Sequence, residues 1–268
     1  MKRFASQNEL LQYSMQIGEE RFNKTGNLSD LSLTVNRVYC HNFIQMILNY
    51  GGVDDFVTGC WVNVAWPGVT SAHLFGDEDT ARHSIRTGFN SLKTGVELRR
   101  EDRAYRRLLN NHYTLEMFTA ACFHDVGKRE IDQGLLNKNG KLTPREIDAI
   151  GEHEINSVVI TENPFSMNVP SMIGYHHTFK NMKGKILEKD GIGAPFASYV
   201  IAACDIFDAQ VTRRPYRKKV ITPAEALESL REEEIPPVII DVFSRKVVAD
   251  MEFMRRVYKG TEAECHFT

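Results

Sequence analysis

Apolar residues recur along this chain mainly at helical spacing, and the elements they predict are almost all helices. Leu10, Leu11, Met15 and Ile17 mark a first helix over Asn8 to Arg21. Gly26, Asn27, Ser29 and Asp30 then read as a loop and N-cap. Leu31 to Tyr50 is richly apolar and stops at Gly51-Gly52, a helix C-terminal signal. Phe56 to Val69, with Trp61, Trp66 and Pro67, fits neither the helix nor the strand period.

Asp77, Glu78 and Asp79 open the next helix, which runs to about Leu98; acidic residues in a first turn favour the helix dipole. Leu98 to Arg107 is strongly charged and reads as solvated. Thr114 to Asp125 is a compact apolar helix ended by Gly127. Thr143-Pro144-Arg145-Glu146 is a capping box with proline at the first helical position, and it predicts a helix from Pro144 to Ile160. Thr222-Pro223-Ala224-Glu225 repeats that signal. Between them, Lys180 to Ala194 reads as a long loop, and Pro195 to Val211 as another apolar helix. The reading is all-α, with a division near residues 70–78: residues 1–70 as an N-terminal helical region and residues 71–268 as the main domain.

The chain has 268 residues, enough for one or two domains and for a core that needs no disulfide staples. Hydrophobic residues make up 42% and charged residues 25%, which excludes disordered and low-complexity classes. A formal net charge of -2 leaves no global basic field for a nucleic-acid polymer. Five cysteines without a CxxC pair argue against a disulfide framework and for reduced thiols in a cytoplasm. The N-terminus lacks the apolar core of a signal peptide, and no apolar run is long enough to span a membrane.

Chemistry concentrates in the histidines and in a few aspartates. Asp205 lies within Val200 to Phe207, an apolar stretch, and a lone carboxylate on a buried face needs a cation. His124-Asp125 stands at a helix end, His176-His177 is a second adjacent pair, and His153 sits in the capped helix. His83 follows Asp79 by four residues, on one helix face. Each piece alone is more often structural. Together they offer seven N/O ligands, eight with Asp79, and no cysteine, which suits iron, manganese, zinc or nickel. Asp125 could bridge two such ions, and a hydroxide held between them would be a nucleophile for a phosphodiester. Cys40, His41, Cys60 and His73 could form a further metal site, but their spacings are irregular.

In that order the residues resemble the HD-GYP family, a branch of the HD-domain metal-dependent phosphohydrolases. The resemblance rests on His83, on His124-Asp125-Val126-Gly127-Lys128, on His153, on His176-His177, on Cys204-Asp205-Ile206-Phe207-Asp208 and on Arg213-Arg214-Pro215-Tyr216-Arg217. It implies a helical bundle around a metal cluster and hydrolysis of cyclic dinucleotides, above all cyclic di-GMP. On the family's pattern His83, His124, Asp125 and Asp205 would hold one ion, and Asp125, His153, His176 and His177 the other, both iron or manganese. Asp79 stands where some members carry a glutamate and bind a third ion. Lys128 would polarise a phosphate oxygen, Asp208 would orient Lys128 or a ligand histidine, and Arg214 and Arg217 would grip the phosphates. The family's Gly-Tyr-Pro loop reads here as Gly184-Lys185-Ile186, and Lys185 could contact a phosphate in the tyrosine's place. That departure keeps two other roles in view: hydrolysis of another phosphate ester, or a receptor for a cyclic dinucleotide. Residues 1–70 match no sensor and are read as serving regulation, a homodimer or a protein partner.

Overall fold

Asp77 begins the described part of the molecule as an N-cap, its carboxylate accepting from the Thr80 N–H and Thr80 hydroxyl at 2.7 Å each. A computed structural model of the chain describes residues 77–161, 168–179, 182–183, 194–213 and 220–267. Helix α1 (Glu78–Glu101) is followed by α2 (Arg103–Leu108) and α3 (Asn111–Phe123). A 3-10 turn over Val126–Glu130 leads to α4 (Gln133–Leu136), α5 (Pro144–Gly151), α6 (His153–Thr161) and α7 (Asn168–Gly174). Two-residue strands, β1 (Thr178–Phe179) and β2 (Met182–Lys183), pair antiparallel. Helices α8 (Phe196–Val211), α9 (Pro223–Leu230) and α10 (Pro237–Val242) come next. A π-helical segment over Phe243–Val248, α11 (Met251–Val257) and a 3-10 turn over Glu262–Phe267 complete the order. The chain divides into two units, Met1–Gly52 and Val53–Thr268, and every described residue lies in the second.

Helix α1 packs against α3 and α8, and these three form the centre of the bundle. Helix α3 is apolar nearly all round, with Met117, Phe118, Ala120, Ala121 and Phe123 buried, so it is enclosed rather than laid on a surface. Helix α8 buries Ala197, Val200, Ile201, Ala203 and Phe207 in the same way. The small residue Gly88 lets α1 and α3 approach: a Cβ there would stand 2.3 Å from the Cys122 sulfur.

The all-α expectation holds, and both capping boxes are formed, at Thr143 with Glu146 and at Thr222 with Glu225. One expected helix is two. The stretch from Pro144 breaks at Glu152, whose N–H turns back to the Ala149 and Ile150 carbonyls; Gly151, a poor helix former, precedes the break. Met182–Lys183 adds a strand to what reads as loop. The helices expected over Asn8 to Arg21 and Leu31 to Tyr50 lie outside the described residues, as do Cys40, His41, Cys60, His73 and most of the 70–78 division. No described helix is long and apolar enough to cross a membrane.

Candidate metal centre

Five segments converge on one buried point. Helix α1 brings His83; the end of α3 brings His124 and Asp125; the first residue of α6 brings His153; the turn after α7 brings His176 and His177; α8 brings Asp205. His83, His124, Asp125, His153, His176 and Asp205 are all buried, and His177 is half-buried. Three sets of potential ligand atoms lie within 4.8 Å of one another: Asp125 with His153, His176 and His177; His83 with His124 and Asp125; and His124 with His176 and Asp205. Asp125 and the two histidines that recur join these sets into one cluster.

The helix ends aim the rings. His124, His153 and His176 each sit three residues after a backbone carbonyl, of Ala121, Ile150 and Ile173, that accepts from Nδ1. A carbonyl only accepts, so Nδ1 carries the hydrogen and Nε2 turns its lone pair inward. The Nε2 atoms of His124 and His176 and Oδ1 of Asp125 are buried without a hydrogen-bond partner. Such orphaned acceptors are costly to bury unless something positive meets them.

His83 is held differently. Its Nδ1 stands 2.7 Å from Asp208 Oδ2, and its Nε2 2.9 Å from Asp205 Oδ1. Asp208 is fully buried and is itself held by a forked bond from Arg86, whose Nε and Nη2 donate at 2.7 and 3.0 Å. Asp208 therefore meets His83, while Lys128 meets Asp125. Arg86 is a site residue the sequence reading missed; the available signal was its place three residues after His83, on the same helix face.

Charge in the cluster is divided. Burial would push the Asp125 carboxyl up, but Lys128, His124, His153 and His83 hold it well below the usual carboxylate range. Burial opposes ionisation of Asp205 too, and the His124 and His83 imidazoles that face it keep it low. Burial disfavours a charged His124, yet Asp125 and Asp205 raise its pKa. Burial lowers His153 to about 4, His177 to about 3, and His176 well below the ordinary value. Neutral imidazoles beside buried carboxylates form a donor set for a divalent cation.

A pH dependence follows for the metal-free protein. The unfolded chain protonates its histidines as pH falls through about 6.5. Folded His153 and His177 stay neutral until about 4 and about 3, so folding stability declines as pH drops from 6.5 to 4. His124 works in the opposite sense but is outnumbered. The expected result is a melting temperature of metal-free protein that falls steadily across that window; a flat or rising profile would contradict buried neutral histidines.

Lys128 Nζ donates to Asp125 Oδ2, in the 3-10 turn that follows. Gly127 packs that turn onto α6: its N–H donates to the Ser157 hydroxyl at 2.8 Å. Asp79 is exposed and belongs to none of the three ligand sets; it lines a neighbouring cleft. Lys185, Arg214 and Arg217 lie outside the described residues.

Asp208→Asn tests the support of His83. The amide can still accept from Nδ1 but carries no charge for Arg86. Metal affinity, read by competition with a chelator, is expected to weaken about 10- to 100-fold. Unchanged affinity would mean that His83 needs no charged support.

The bundle's helix ends and turns bring together a mixed His/Asp cluster able to hold metal ions. The model of the HD domain family matches residues 98–235, about half of the chain, so the chain belongs to that family. The match includes His124 through Asp205, while His83 precedes it. Within the family the chain is of the HD-GYP type. It is 29% identical to a probable cyclic di-GMP phosphodiesterase of Vibrio cholerae over 200 residues, covering 70% of this chain and 44% of that protein. It is 26% identical to a cyclic di-GMP phosphodiesterase of Thermotoga maritima, covering 63% and 45%. A 3'3'-cGAMP-specific phosphodiesterase of Vibrio cholerae is 30% identical over 45% of this chain and 26% of its own length. The chain thus spans less than half the length of these curated relatives.

Proposed function

We propose that this chain is a metal-dependent phosphodiesterase that opens cyclic dinucleotides, with cyclic di-GMP as substrate. The observation that carries the proposal is the convergence of His83, His124, Asp125, His153, His176, His177 and Asp205, with inward acceptors left unpartnered. The names of the relatives supply the substrate class.

His83, His124, Asp125 and Asp205 would hold one divalent ion, and Asp125, His153, His176 and His177 a second, iron or manganese. Bound there, such ions would supply an activated nucleophile and offset the charge that builds on an attacked phosphate. The chain's own residues do the rest. The carbonyls of Ala121, Ile150 and Ile173 fix which imidazole nitrogen faces the site. Asp208 and Arg86 hold His83 against rotation. Lys128, with its Nζ on the Asp125 carboxylate, would offer a positive donor to a phosphate oxygen. Arg214, Arg217 and Lys185 are assigned to substrate phosphates by the family resemblance. The domain proposed for this activity is residues 71–268.

The test is turnover of cyclic di-GMP by protein reconstituted anaerobically with Fe(II) or Mn(II), with products separated by chromatography. Linear dinucleotide or GMP is expected. A filled metal site with no product would overturn the assignment in favour of another phosphate ester or a receptor role.

A further inference from the structure

Three of the ligand histidines are aimed by carbonyls in their own turn, those of Ala121, Ile150 and Ile173. His83 is aimed from afar: its Nδ1 stands 2.7 Å from Asp208 Oδ2. What holds Asp208 therefore decides how well His83 is held. The forked bond from Arg86 does part of this. Behind Arg86 stands Tyr258, the residue that ends α11. The Arg86 guanidinium lies over the Tyr258 ring, 5.8 Å from its centroid, within cation–π range. The Tyr258 hydroxyl accepts from Asn90 Nδ2 at 2.9 Å. A phenol can accept and donate at once, so its own proton is left for a second partner. The Asp208 carboxylate faces it. Burial, and then that carboxylate, push the Tyr258 hydroxyl well above the ordinary phenol value, so it keeps its proton.

The ring itself is fixed. Tyr258 is fully buried, and Phe207 and Phe267 pack on it with centroids 6.3 and 5.4 Å away. Phe207 is the residue before Asp208 in α8, so the same packing locates both ends of the contact. Phenylalanine would fill this space as well; burying a hydroxyl instead is costly unless it is bonded. Arg86 and Asn90 precede residue 98 and Tyr258 follows residue 235, so this support comes from both sides of the span that the HD domain model matches.

We infer that Tyr258 is a positioning residue for the metal centre: through Asp208 and Arg86 it keeps the His83 ring turned so that Nε2 faces Asp205 and Asp125. The C-terminal segment that carries Tyr258 thereby helps to set metal affinity while contributing no ligand to the cluster. The inference rests on the metal-dependent reading of that cluster and not on the choice of substrate.

The experiment measures Mn(II) affinity of the full chain, by competition with a chelator well below the melting temperature. It compares wild type, Tyr258→Phe, Asp208→Asn and the double variant. Tyr258→Phe keeps the ring and removes only the hydroxyl. It is expected to weaken Mn(II) binding about 10-fold, the lower end for a group that orients a ligand. Asp208→Asn already removes what Tyr258 acts on, so adding Tyr258→Phe to it is expected to weaken binding by less than about 2-fold more. Phe267→Leu is the control: it thins the packing on the same ring and leaves the hydroxyl. It is expected to lower the melting temperature and leave Mn(II) affinity unchanged. If Tyr258→Phe does not fold, Asn90→Leu takes its place, because it frees the hydroxyl from its donor; the same loss is expected. A Tyr258→Phe protein that binds Mn(II) like wild type overturns the inference. So does a double variant whose loss is the product of the two single losses. The two readings fail separately. A wild type that binds neither Mn(II) nor Fe(II) rejects the metal-dependent reading and this inference with it. A wild type that binds Mn(II) no better than Tyr258→Phe rejects the role of Tyr258 alone.

Discussion

Replacing Asp125 by alanine is expected to cut turnover of cyclic di-GMP by about a hundred- to a thousand-fold, and to lower the metal content with it. The magnitude is that of removing a group aimed at charge in the transition state. Asp125 is the carboxylate shared between two of the three ligand sets. Its Oδ1 stands 3.3 Å from His153 Nε2, and its Oδ2 3.5 and 3.6 Å from the Nε2 atoms of His124 and His83. Removing it takes a ligand from both halves at once and leaves Lys128 without its partner. Asp125→Asn isolates the charge from the shape, because the amide fills nearly the same space. Metal analysis and product chromatography on both variants decide the matter. If the asparagine variant keeps full metal and full turnover, Asp125 is not a bridging ligand.

The second large effect is expected at a residue that carries no chemistry. A Cβ at Gly127 would lie 2.2 Å from the His153 carbonyl oxygen and 2.5 Å from the Ser157 nitrogen. Both are backbone atoms, so no side-chain rotation relieves the clash; the 3-10 turn and α6 must move apart. That separates Asp125 from His153, which sit on opposite sides of the contact, and strains the Gly127 N–H bond to Ser157. Gly127→Ala is expected to cost about 3 kcal/mol, the upper range for overpacking. At about 2–4 °C per kcal/mol for a domain of this size, the melting temperature falls by about 6–12 °C. Metal affinity should fall as well. Gly140→Ala is the comparison: its φ of 114° strains an alanine, but nothing lies within 4 Å of the new methyl, so about 1 kcal/mol and no loss of metal is expected. Equal effects at the two glycines would refute the close-approach argument.

Gly127 also shows how the sequence and the fold divide the explanation. In sequence it reads as a helix stop after His124-Asp125. In space it is the point where two segments of backbone touch, and only the pairing of that turn with α6 reveals it. The same division runs through the charged residues. Asp205 could be singled out from its apolar neighbours alone, because an unpaired carboxylate there needs a cation. The partner of Asp208 could not, since His83 lies 125 residues away in the chain.

What the sequence by itself determined was local or compositional. Helical periodicity, the Thr143 and Thr222 capping boxes and the count of histidines and aspartates follow from neighbours within about one turn, where side-chain spacing is set by the helix itself. The order of those ligands carried the family resemblance. The tertiary structure decided which of them meet. It put seven inside one cluster and left Asp79 exposed at the rim of the cleft. It joined Asp208 to His83 and recruited Arg86. Convergence of α1, α3, α6 and α8 depends on how apolar faces pack and how closely glycines let backbones approach, and no repeat in the sequence encodes a distance between elements.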